Sequence, residues 1–234
     1  MDGAAAELSK IVREGPFTDI FLALQARNVF QVLGQHADRV NSSSFAPAFG
    51  MFQSQASDAF ILAITRLLER EREHYPLQSV HGALCFLARN AAKIPVSEPV
   101  FLEQSMQRMG YAEIPSSDLE RQTHAVVEIL ISRLPHHSEN RALEVLKTLR
   151  DKRIAHPERV KVESLPATTW QDAESLLKIP TEALAILGGY TSDAYVDSTG
   201  RLLMETDAKV ASIATVRLMR EVGIVSESSA QSGR

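Results

Sequence analysis

Apolar residues recur at three- and four-residue spacing along almost the whole chain, and no stretch sustains the two-residue alternation of a half-buried strand. A chain patterned in this way has few options. Its apolar stripes lie on helices, and each stripe must be buried against another helix. β-branched residues do not cluster, which removes the remaining sequence argument for a sheet. The expected fold is all-α: a bundle of long antiparallel helices with peripheral helices, forming one domain over residues 1–225, followed by a disordered polar tail at 226–234. With 234 residues, 44% of them apolar, such a chain can bury a sizeable core without covalent staples.

Gly, Pro and capping residues divide the pattern. A short Ala-rich helix over residues 4–14 is expected to stop at Gly15-Pro16, and Thr18 to cap a long helix carrying Ile20, Leu24 and Leu33. After the break at Asn41-Ser42-Ser43-Ser44, a second long helix is expected over 47–72, bending or meeting a partner at its polar middle, 53–58. Helices over 77–93 and 97–110 follow. Ser117-Asp118-Leu119-Glu120 reads as a capping box opening a helix to Arg133. Pro135-His136-His137 is a loop, and Ser138 is placed to cap the next helix, so that residues 117–156 make an antiparallel hairpin. Thr169 should cap a helix at Trp170 that Pro180 kinks or splits and Gly188-Gly189 ends. A turn at Ser198-Thr199-Gly200 precedes a last helix over 206–221.

Composition narrows the function classes. A net charge of −4 argues against coating nucleic acid with the whole surface, although a local basic patch remains open. A single cysteine, Cys85, excludes an internal disulfide framework and suits a reducing cytoplasm; its apolar helical setting marks it as a buried small hydrophobe. Residues 1–7 carry neither a basic flank nor an apolar signal core, and no apolar run reaches the roughly 18 residues of a membrane span, so a cytoplasmic protein without membrane contact is expected. His136-His137 lacks further ligands at zinc spacing, and His74, His81 and His124 stand isolated, so no metal or cofactor is expected.

One stretch departs from the plain helical pattern. Ala142, Val145, Leu146 and Leu149 form an apolar row that, continued at 3.6 residues per turn, runs into Arg153 and His156 before Pro157 stops the helix. From residue 141 to 161 there are seven cations (Arg141, Lys147, Arg150, Lys152, Arg153, Arg159 and Lys161) against Glu144, Asp151 and Glu158. A helix C-terminus attracts cations through its dipole, which accounts for Lys152 and Arg153 but less well for His156.

The run Leu149-Arg150-Asp151-Lys152-Arg153-Ile154-Ala155-His156 resembles the R-x4-6-H motif of the HEPN superfamily of small helical proteins. It is most similar to the AbiU-type abortive-infection branch. That branch pairs an LRDKRxAH helix end with an upstream RL-x-[DE] segment, here Arg66-Leu67-Leu68-Glu69, and with a later helix ending in a Gly-Gly-Tyr loop, here Leu187-Gly188-Gly189-Tyr190. The resemblance spans roughly residues 17–222 and rests on the order of short motifs. It implies a metal-independent endoribonuclease of phage defence or a toxin, with Arg150, His156 and Asp151 catalytic, and with Lys152, Arg153 and Arg159 steering the RNA. Arg66 and Glu69 are expected as supporting residues, Arg66 lying near the motif and helping to hold Asp151; the plain alternative is that the two merely pair with each other one helical turn apart. Base and acid would come from two motif histidines across a homodimer axis, and an antitoxin or defence-system partner is implied. A tyrosine found two residues after the histidine in some HEPN toxins, where a nucleotidyltransferase modifies them, is replaced here by Glu158. The alternative is a non-catalytic HEPN-like module that binds a nucleotide, an RNA or a protein.

Overall fold

The computed structural model describes residues 3–71, 76–111, 118–136, 138–155, 167–197 and 199–226, with the side chains of Arg153 and Ala155 also left aside. Among these residues the fold is all-α, and extended backbone pairs only in one antiparallel bridge, Val196 with Leu202. The helices are α1 (Gly3–Val12), α2 (Thr18–Gln35), α3 (Ala37–Asn41), α4 (Ala46–Leu67), α5 (Val80–Arg89), α6 (Pro99–Arg108), α7 (Leu119–Arg133), α8 (Arg141–Leu149), α9 (Trp170–Ser175), α10 (Lys178–Thr191), α11 (Glu205–Ala208) and α12 (Val210–Glu221).

Several ends differ from the expected ones, each for a local reason. Gly15-Pro16 does not stop the first helix. A π-helical turn, Arg13–Phe17, carries the chain straight into α2, and Thr18 donates its hydroxyl to Arg13 O at 2.7 Å instead of capping. Asn140 caps α8 in place of Ser138, accepting the Leu143 N–H at 3.1 Å, while Ser138 is taken up by His136. Asp118 caps α7 by accepting the Glu120 and Arg121 N–H groups; Ser117 lies outside the described residues. Thr169 caps α9 as expected, and the helix with Pro180 is split, with Pro180 in the first turn of α10 where its missing N–H is harmless. The polar stretch at 53–58 stays within one continuous α4.

The chain divides into two compact units. In the first, residues 1–20 and 63–203, every residue of α10 from Ala183 to Thr191 is buried, as suits a helix that is apolar on all sides. It packs against α1, α5, α6 and α7. Gly188 and Gly189 do not end it, which corrects the expected Gly-Gly-Tyr loop. A methyl group on Gly188 would lie 2.5 Å from Asp193 O, and one on Gly189 3.2 Å from Leu102 Cβ, so both are glycine for close packing. The helix ends at Ser192, which takes the left-handed conformation at φ 59°. The main contacts of α7 are to α5 and α10, and those of α8 are to α9 and to the turn that follows it.

The second unit, residues 21–62 and 204–234, has its own core of Leu33, Val40, Phe49, Met219, Ile224 and Val225, with Phe52 edge-on to Phe49. Within it, the buried Asn28 side chain donates to the carbonyl of Ala208 at 3.2 Å.

Candidate functional site

Four buried residues of α8, Ala142, Leu143, Val145 and Leu146, anchor the helix and so fix where its C-terminal end comes out. From Arg150 to Ala155 the backbone changes to a π-helical turn. A π turn closes i→i+5 hydrogen bonds and holds more residues than an α turn.

Arg150 opens that turn with its side chain 20% exposed. Its Nε donates to Asp151 Oδ1 at 2.7 Å and its Nη1 to Glu69 Oε2 at 3.5 Å. The second contact spans 81 residues of sequence and joins the two short segments that carry the resemblance. Asp151 thus partners Arg150. Lys152 is exposed. The side chain of Arg153, and His156, Glu158 and Arg159 altogether, lie outside the described residues, as do His74 and His137.

Glu69 stands just beyond the end of α4, its N–H bonded to Arg66 O at 3.3 Å. Its neighbour Arg70 reaches across to Leu134 O at the end of α7 at 3.3 Å, a second tie between the α4 end and the segment leading into α8. Arg66 takes up neither expected role. Its Nε lies 3.4 Å from Asp19 Oδ2, so Arg66 and Glu69 serve different partners. Asp19 is 1% exposed, and burial pushes its carboxyl up to about 6 against the opposing pull of Arg66. As a first-turn acid of α2, Asp19 suggests a helix N-terminus. The π turn feeding α2 occupies that end, and Arg66 supplies the counter-charge instead.

Two cavities meet at Glu69. The larger, about 600 Å³, is bounded by α1, the chain just after α4, and α5; the smaller, about 210 Å³, includes His136 and Lys147. Glu71, which also lines both cavities, accepts from Arg89 Nη2 at 2.8 Å and donates its own N–H to His81 Nδ1 at 3.2 Å. Cys85 Sγ lies 3.5 Å from the same nitrogen. Burial pushes the Cys85 thiol up and His81 down, so both are held neutral, which suits packing and not nucleophilic chemistry.

The described part of the site is thus a half-buried arginine gripped by two carboxylates, beside an open cleft. An arginine so placed can exchange carboxylate oxygens for phosphate oxygens without moving its backbone. Of the residues the resemblance singles out, Arg150, Asp151 and Glu69 lie together, whereas the partners of Asp19 and Glu71 come from long-range packing that no short motif displays. No family model, no curated protein and no solved structure matches this chain.

Proposed function

We propose that this chain is a metal-independent endoribonuclease of HEPN type, serving in phage defence or as a toxin. The observation that carries the reading is the Arg150–Glu69 contact, because it brings together the two segments that the resemblance pairs. In the proposed reaction the RNA 2′-oxygen bonds to the adjacent phosphorus and the P–O5′ bond breaks, leaving a 2′,3′-cyclic phosphate and a 5′-hydroxyl. A base takes the 2′-OH proton, an acid protonates the leaving 5′-oxygen, and a fixed cation stabilises the charge on the crowded phosphate. Arg150 is the cation. His156 is the residue whose ordinary titration range suits the proton transfers. Asp151 and Glu69 hold the Arg150 fork until a phosphate replaces one of them, and Lys152, Arg153 and Arg159 attract the backbone.

A second reading has its own support: a non-catalytic RNA- or nucleotide-binding module. Two carboxylates already engage Arg150, so a ligand phosphate has to displace at least one of them to use the whole guanidinium fork. One assay separates the two. Total RNA is incubated in EDTA with wild type, Arg150→Ala and His156→Ala. Cleavage by wild type that falls by about 100-fold or more in both variants supports the enzyme, in line with the loss of a transition-state charge partner. Cleavage that persists in both variants rejects it, and binding without cleavage favours the module.

A further inference from the structure

We propose that the 600 Å³ cleft beside Glu69 receives the nucleobase of the nucleotide whose phosphate lies at Arg150, and that it prefers bases with an exocyclic amine to uracil. The inference rests on the RNA-cleaving reading for its placement, but the cleft's chemistry stands apart from catalysis. Its volume falls within the roughly 300–1,000 Å³ of small-ligand sites. Phe86, half-buried on α5, with Ile11 and Leu77, gives it an apolar wall with an aromatic face, the feature on which bases stack.

The polar lining selects further. The Glu71 side chain is 9% exposed and is fixed by Arg89. A methyl group on Gly82 would lie 1.9 Å from Leu77 O and 3.0 Å from Glu71 Oε2. Glycine at this position therefore lets the first turn of α5 pack directly against Leu77 O, with Glu71 Oε2 alongside. A carboxylate held in this way in the lining is an acceptor only, and it calls for N–H donors on the occupant. Guanine offers N1–H with its 2-amino group, and adenine and cytosine each offer an amino group. Uracil offers one N–H flanked by two carbonyls, which would face Glu71. Three carboxylates in the lining, Glu7, Glu69 and Glu71, against Arg66 and Arg89 also disfavour a free phosphate or another small anion as occupant. Glu69 makes the link to the reacting end. It lines the cleft while its Oε2 stands 3.5 Å from Arg150 Nη1, so one carboxylate borders both the proposed base site and the proposed phosphate site.

The test is equilibrium binding of AMP, CMP, GMP and UMP to the full chain, in wild type, Glu71→Gln, Phe86→Leu and Arg150→Ala, with RNA cleavage measured on the same samples. At least one amine-bearing nucleotide is expected to bind wild type roughly tenfold or more tighter than UMP, the size of one good base-edge contact. Glu71→Gln should erase that preference, and Phe86→Leu should weaken every nucleotide by roughly fivefold or more through the lost stack. Should the Glu71 variant fail to fold, the wild-type preference still decides. Equal binding of UMP, or no nucleotide binding in wild type, overturns the cleft assignment. Cleavage that depends on Arg150 with binding indifferent to Glu71 and Phe86 keeps the enzyme and removes the base site. Selective binding lost in Glu71→Gln, from a chain that never cuts RNA, keeps the cleft and removes the enzyme.

Discussion

A carboxylate with 1% of its surface exposed has lost almost all its water, and at 3.4 Å the Arg66 guanidinium restores only part of that loss. Asp19 therefore binds its proton more tightly in the folded chain, at about 6, than in the unfolded one. The sign for stability follows. Between about pH 4 and pH 6 the folded state keeps a proton that the unfolded state has released, so this residue lowers stability as pH rises through that window and adds no slope above it. A shift of about two pH units corresponds to something on the order of 3 kcal/mol. Asp19→Asn is expected to remove that slope. Urea midpoints for wild type and variant should differ most at pH 7, with the variant the more stable, and converge near pH 4. Parallel curves across the window would show that Asp19 is not the titrating group. What Asp19 holds in exchange is Arg66, whose guanidinium it keeps on the wall of the cleft.

At the level of elements, two glycines of one chain carry opposite predictions. Gly188 sits inside the buried α10, where an added methyl group meets the carbonyl of Asp193 at 2.5 Å. Gly188→Ala should destabilise by about 1–3 kcal/mol, as overpacking does. Gly34, in the last turn of α2, has open space around an added Cβ. Gly34→Ala should stabilise by up to about 1 kcal/mol by removing a poor helix former. Denaturant midpoints of the two variants moving in the same direction would contradict this account of packing. The glycines also mark how far the sequence is legible. Gly-Gly after an apolar run reads as a helix end, because local conformational freedom is all that a sequence displays. Their actual reason, the approach of Asp193 and Leu102, belongs to other parts of the chain. The α8 stripe was legible because its period is local, and Thr169 was legible as a cap for the same reason. Asn140 displaced Ser138 as the α8 cap because His136 claims the serine, a competition between side chains that a capping rule does not weigh. At the site, the short motifs singled out the segments of Glu69 and Arg150, whereas the bond between those two side chains and the π turn after Leu149 left no mark in composition or spacing.

For the molecule as a whole, the proposed chemistry asks more than one chain's motif contains. Transfer at phosphorus needs a base and an acid, and the motif offers one histidine, His156, per chain. A twofold dimer that brings two motifs to one cleft would supply both groups and would double the cationic field around the phosphate. This arrangement predicts how activity responds to mixing. Wild-type chains are co-expressed with a growing excess of His156→Ala chains, so that most wild-type chains pair with an inactive partner, and the rate per wild-type chain is measured at fixed RNA. If one cleft needs both histidines, that rate falls toward zero as the excess grows, because mixed dimers lack either the base or the acid. If each chain cuts alone, the rate per wild-type chain stays constant at every ratio. Dilution gives an independent measure: a composite site loses activity per chain once the concentration drops below the dimer dissociation constant, and RNA long enough to bridge two chains postpones that loss. A flat response to both mixing and dilution would place acid and base within one chain and remove the dimer from the mechanism, while leaving Arg150 and its two carboxylates as the phosphate end of the site.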